Sequence, residues 1–155
     1  MTLSCEQIYS AFLGLIDDYN IPQMNIDDSY EYMMDCFKNV FSKPKIRKLF
    51  SSISFDENIL ELTYTLRNSI DEDYDREFVK GLFANGMVIA WLEPRYQTDL
   101  LTAQFFGGKE QRWFAQANHM DQVKQMLDNA RKILDKDYIR DYSYGATLIK
   151  GGLNI

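Results

Sequence analysis

The chain has 155 residues, 46% of them hydrophobic and 14% aromatic, with 17 Lys and Arg against 23 Asp and Glu for a formal charge of −6. That length suits one domain with a packed core, and so rich a share of apolar and aromatic residues excludes a disordered chain. The acidic balance excludes a general phosphate-binding surface, because nonspecific nucleic-acid affinity needs clustered cations that displace counterions.

The opening residues Met1 to Gln7 lack the basic region and apolar run of a signal peptide. No stretch reaches the about 18 consecutive apolar residues of a membrane span, so no membrane association is expected. Ser4-Cys-Glu-Gln7 has the spacing of a capping box. Ile8, Phe12, Leu15, Ile16 and Tyr19 follow at helical spacing, which predicts a first amphipathic helix over about 5–19, broken by Pro22. Asp28-Ser-Tyr-Glu31 is a second cap signal, and Tyr30, Met33, Met34, Phe37, Val40 and Phe41 then share one face of a helix over about 28–41. Cys5 and Cys36 fall inside these helices without CxxC spacing, which reads as two reduced, apolar side chains.

Lys43, Lys45, Arg47 and Lys48 form a short basic cluster interleaved with Ile46, Leu49 and Phe50. It is the one candidate for polar contact with a nucleic acid or an acidic protein surface, set against ordinary solvation of a charged turn. Beyond it, Leu60, Leu62, Tyr64 and Leu66 alternate with Glu61, Thr63 and Thr65, the pattern of a half-buried strand. Asp56-Glu-Asn58 can turn that strand back on Ile53-Ser-Phe55, which predicts a small β-hairpin within 51–67. A lone hairpin is marginal and needs helices or a neighbouring subunit to pack on.

Five acids in residues 71–77 precede a third helix, where they meet the positive end of its dipole. That helix is expected over about 74–92, ending at Pro94, with Phe78, Leu82, Val88, Ile89, Trp91 and Leu92 buried. Gly81 and Gly86 each cost about 1 kcal/mol inside it relative to alanine, so close approach of a neighbour is expected at both. Residues 95–106 read as a short helix or turn, broken at Gly107-Gly108. A long fourth helix over about 109–139 carries Trp113, Met120, Val123, Leu127, Ala130 and Leu134 in a narrow apolar seam. The last stretch, Asp141 to Ile155, has three glycines and no helical period and reads as an extended arm. Its Tyr142, Tyr144, Leu148, Ile149, Leu153 and Ile155 are the candidate protein-docking residues, in cis over the helical body or in trans on another subunit.

No catalytic centre, cofactor or metal site is expected. His119, the single histidine, has Ala115, Gln116, Gln122 and Val123 as its helical neighbours and reads as structural. Phe106-Gly-Gly-Lys-Glu110 lacks the spacing of a P-loop and reads as a turn between helices. Asp17-Asp18, Asp27-Asp28 and the 71–77 acids do not match a calcium loop. The fold class is therefore mainly α: a bundle of about four helices over 1–141 with a small hairpin, and an extended arm over 142–155.

The stretch from Asp75 to Tyr144 resembles the head–tail connector or adaptor proteins of tailed-bacteriophage necks. The resemblance rests on Phe78-Val79, Gly86-Met-Val-Ile-Ala-Trp-Leu-Glu-Pro94, Phe106-Gly-Gly-Lys-Glu110, Phe114-Ala-Gln-Ala-Asn-His119 and Tyr142-Ser-Tyr144. It implies a structural virion protein, made in the host cytoplasm, that forms a homo-oligomeric ring of commonly twelve copies below the portal. Such a ring extends the DNA channel, lets DNA pass without sequence-specific binding, and joins the portal protein to further neck and tail proteins. It also implies that the C-terminal segment docks on the portal or a neighbouring subunit. The alternative is a small acidic helical protein that sequesters a host or regulatory partner; a third reading, a metal-dependent nuclease, would use the acid clusters.

Overall fold

A computed structural model describes the backbone of residues 1–16, 26–106 and 110–140, and the side chains of 1–16, 27–97 and 120–140. The chain is mainly helical with one small antiparallel sheet. In order it forms β1 (Thr2–Ser4), α1 (Cys5–Leu15), α2 (Ile26–Phe41), the one-turn α3 (Pro44–Arg47), β2 (Phe50–Asp56), β3 (Glu61–Leu66), α4 (Glu72–Phe106) and α5 (Glu110–Ile133). A π-helical segment, Leu134–Arg140, continues α5.

The hairpin expected within 51–67 is present as β2 and β3, and it does not stand alone. β1 pairs with the other side of β3, giving the order β1-β3-β2 with Leu3 opposite Leu62. The main-chain nitrogen of Met1 donates to Tyr64 O at 3.1 Å, and Tyr64 N donates to Met1 O at 2.8 Å. The strand escaped the sequence reading because Ser4 does two jobs. It closes β1, and its hydroxyl caps α1 by accepting from Glu6 N at 3.3 Å. One face of the sheet, with Ile53, Phe55, Leu62 and Tyr64, lies against the helices; Ser52, Ser54, Thr63 and Thr65 lie on the other.

α4 corrects the expected helix end. It runs through Pro94 to Phe106 as one helix, so 95–106 is no separate turn. Proline removes the hydrogen bond to the carbonyl four residues back, here Ala90, and crowds it, at a cost of about 3 kcal/mol. Packing overrides that penalty: Trp91 and Leu92 are buried just before it, and α5 lies along α4. The expected break at Gly107-Gly108 lies outside the described residues. α2 begins at Ile26, slightly earlier than expected, and α1 is described as far as Leu15, short of the expected Tyr19. The long fourth helix stays regular only to Ile133, before its last turns widen to π geometry.

The core gathers around the first half of α4, where Val79, Leu82, Phe83, Ala84 and Met87 are fully buried. The seam of α5 faces inward within the same chain: Val123, Leu127, Ala130 and Leu134 are buried and join this core. Both glycines of the first half of α4 sit where neighbours press in. A Cβ on Gly86 would lie 2.7 Å from Cγ1 of Val40 in α2, and one on Gly81 would overlap the Tyr138 hydroxyl of the π-helical segment.

Gly81→Ala gives this packing a sign test. At an open helical position the change adds about 1 kcal/mol of stability; here Tyr138 must leave its notch, and we expect a net loss of about 1–3 kcal/mol. Limited trypsin digestion should then cut at Lys136 and Arg140 several-fold faster than in the wild type. Unchanged cutting with raised stability would show that Tyr138 does not hold the segment.

Candidate functional site

The basic cluster does not form a stripe. Around the single turn of α3, successive side chains point about 100° apart, which separates its cations. Lys45 crosses to Asp135 of the π-helical segment at 2.9 Å. Arg47 turns back on the end of α2: its Nε donates to Phe41 O at 3.0 Å, and its guanidinium lies 4.2 Å over the Phe41 ring. Lys48 is exposed, whereas Lys43 is half-buried.

Lys43 and Lys45 overhang a cavity of about 110 Å³ where α2, α3, α4, α5 and the π-helical segment meet. Val40, Ile46, Ile89 and Leu134 form its apolar lining, with Gly86 among them. Arg131 and Glu93, paired at 3.2 Å, also border it. Three cations thus face two carboxylates, and Lys43 has no ion-pair partner among the described residues. The volume is far below the roughly 300–1,000 Å³ of sites that enclose a cofactor or drug-sized ligand. Its two ion pairs are substantially exposed, so each contributes no more than about 1 kcal/mol. They tie the end of α5 and the π-helical segment to the body, which makes this place a junction.

The acids of 71–77 are engaged in building the start of α4. Asp71 Oδ1 accepts from Tyr74 N at 2.8 Å, and Asp75 N donates to Asp71 O at 2.9 Å. Asp75 is buried and accepts from the Ser69 hydroxyl and from Ile70 N, so it fixes the turn that leads out of β3. Glu72 pairs with Arg76 and Glu77 with Lys80 along the helix. Asp27 and Asp28 occupy the first turn of α2, and Asp17-Asp18 lie outside the described residues. Among the described residues no group of three or more His, Cys, Asp or Glu is placed to hold a metal ion. The side chain of His119 lies outside them.

The two cysteines lie where their apolar reading expects them. Cys5 and Cys36 are both buried, and burial pushes each thiol up to about 11 from an ordinary 9.0. Burial also raises the phenol of Tyr9, whose hydroxyl has no hydrogen-bond partner among the described residues; Tyr64 shares both properties. These four groups favour the folded state in their protonated forms. The unfolded chain therefore loses thiol protons first, and that stabilisation, full below pH 9, fades as pH rises toward 11. Urea midpoints should be level up to about pH 8 and fall across that window, and Ellman's reagent should find no reactive thiol in the native protein at pH 8. Rapid modification at pH 8 would overturn this placement.

At the base of the expected arm, Tyr138 is held on α4. Its ring lies 5.5 Å from Phe78, and its hydroxyl accepts from Asn85 Nδ2 at 3.3 Å. Phe78 in turn stacks on Tyr74 at 6.3 Å, and Tyr74 and Ile70 are exposed. The candidate docking residues Tyr142, Tyr144, Leu148, Ile149, Leu153 and Ile155 lie outside the described residues. Among the described residues no helix is long and apolar enough to cross a membrane. No protein-family model matches the chain, and neither a curated protein nor a solved structure matches it.

Proposed function

We propose that the chain is a structural protein of a tailed-bacteriophage neck, a head–tail connector or adaptor that assembles as a ring below the portal, and that it carries out no reaction. In this reading about four helices make the body of each subunit, residues 142–155 make its docking arm, and twelve copies extend the DNA channel. Within the described residues, the resemblance over Asp75–Tyr144 falls on α4, α5 and the π-helical segment. The observation that carries the reading is the anchoring of Tyr138 on Gly81 and Phe78, which gives everything beyond Arg140 a fixed departure point. The net charge of −6 suits a conduit, since acidic walls repel DNA phosphates and let the duplex slide.

The protein, made in the host cytoplasm, would reside in the virion neck between the portal and further neck and tail proteins. Mixing the purified chain with portal rings tests this directly. We expect joint particles in sedimentation and electron microscopy, and we expect a chain deleted for 142–155 to keep its helical spectrum yet fail to join them. A full chain that ignores the portal at every concentration would overturn the connector. The exposed pair Ile70 and Tyr74 would then favour the second reading, a small acidic binding protein that sequesters a host or regulatory partner.

A further inference from the structure

The sheet has an open edge. Tyr64 exchanges both of its main-chain bonds with Met1, so Thr63 and Thr65, its neighbours in β3, turn theirs toward β2. Ser52 and Ser54 receive them, and the alternation directs the N–H and C=O groups of Ile53 and Phe55 away from β3. Among the described residues no strand pairs with that side of β2. Phe50–Asp56 holds neither lysine nor proline, and the irregularity between Phe50 and Ser52 leaves the stretch from Ile53 to Phe55 in regular pairing.

The chain contains one segment whose pattern fits this edge. In Tyr142-Ser-Tyr-Gly-Ala-Thr-Leu148, Tyr142, Tyr144, Ala146 and Leu148 alternate with Ser143, Gly145 and Thr147. Laid along β2, the first set would extend the apolar face of Ile53 and Phe55. The second would extend the hydroxyl face of Ser52, Ser54, Thr63 and Thr65. One register thus satisfies both faces and the free main-chain groups together.

Geometry decides whose edge it is. Tyr138 sits at Gly81, while Phe50 at the start of β2 meets Phe83. Two residues along an α-helix are about 200° of rotation, so the departure point and the sheet lie on nearly opposite sides of α4. From Arg140 to residue 142 the chain spans at most about 7 Å, less than the about 10–12 Å width of a helix with its side chains. We propose that residues 142–148 of one copy add as a fourth strand to the β2 edge of another copy. The proposal deepens the assembly reading above and rests on it, because it names where the arm of one ring subunit seats on the next.

Amide hydrogen exchange of the full chain, read residue by residue at micromolar and at near-millimolar concentration, tests the pairing. Ile53 and Phe55 amides should slow by about tenfold or more at the higher concentration. The slowing should vanish in an arm carrying both Ala146→Pro and Thr147→Pro, which removes the donor facing β2 whether the strands run parallel or antiparallel, and, read at Phe55, in Ile53→Pro, which removes an outward donor while leaving the β2–β3 bonds. Four results of the exchange measurement overturn the proposal. Equal fast exchange at both concentrations removes the pairing, and equal slow exchange means that the edge is covered within one copy. Slowing that persists in the double-proline arm means that two β2 edges meet, and an unfolded double-proline variant means that the arm belongs to the monomer core. Portal mixing separates this from the connector reading: edge protection without portal binding removes only the connector, and portal-bound rings that form normally from the double-proline variant remove only the strand addition.

Discussion

Phe37→Ala should lower the unfolding free energy by about 3–5 kcal/mol. Phe37 has no exposed surface and stands at the centre of the aromatic cluster, with ring centroids 4.9 Å from Phe55, 5.0 Å from Phe83 and 6.1 Å from Phe41. It therefore joins α2, the sheet and α4 through one side chain. Its removal loses the transfer energy of the ring, leaves a cavity that three separate elements cannot close together, and forfeits about 0.5–1.5 kcal/mol for each close ring pair. Against a typical total of about 5–15 kcal/mol this is a large fraction. The measurement is urea unfolding, with the midpoint falling and the slope unchanged. Phe37→Leu, which keeps most of the volume, should cost less than about 1.5 kcal/mol. A loss below about 1 kcal/mol for the alanine variant would place the centre of the core elsewhere.

What the sequence disclosed follows from how local each cause is. The alternation from Leu60 to Leu66 needs no knowledge of partners, and β3 lies where it predicts. β1 spans only Thr2–Ser4, too short to show a period, and it exists because β3, sixty residues away, offers an edge. Gly81 and Gly86 announced close contacts by being costly in a helix, but Tyr138 and Val40 are the neighbours only because the fold brings them there. The π-helical widening at Leu134–Arg140 had no sequence signal that we recognise.

The candidate site was legible as charge and illegible as geometry. Lys43, Lys45, Arg47 and Lys48 stand together in sequence, yet one turn of helix sends Lys45 to Asp135 and Arg47 to Phe41. Asp75 was one acid among five, and only the turn from β3 into α4 singles it out as the buried one. The open edge of β2 was hidden for a related reason. Its existence depends on which side of β3 the first strand takes, and that is a matter of topology.

Trp91→Ala should cost about 3–5 kcal/mol, and its consequence should be local as well as global. Trp91 is only 6% exposed, and the guanidinium of Arg95 lies 4.4 Å from its ring centroid, a contact that adds about 0.5–2 kcal/mol. It precedes Pro94 in a stretch of α4 that lacks the main-chain bond to Ala90 and therefore depends on side-chain packing for continuity. With the indole gone, the third of α4 beyond Pro94 keeps Tyr96 against the core but loses the Arg95–Trp91 contact that joins it across the proline. The helical signal at 222 nm should fall by the share that Arg95–Phe106 contributes, in native buffer, before any global transition. Trp91→Phe, which keeps an aromatic surface for Arg95, should retain that signal and lose much less stability. A near-neutral Trp91→Ala with an intact spectrum would mean that α5 alone carries α4 across its proline, and that the indole is available for a partner.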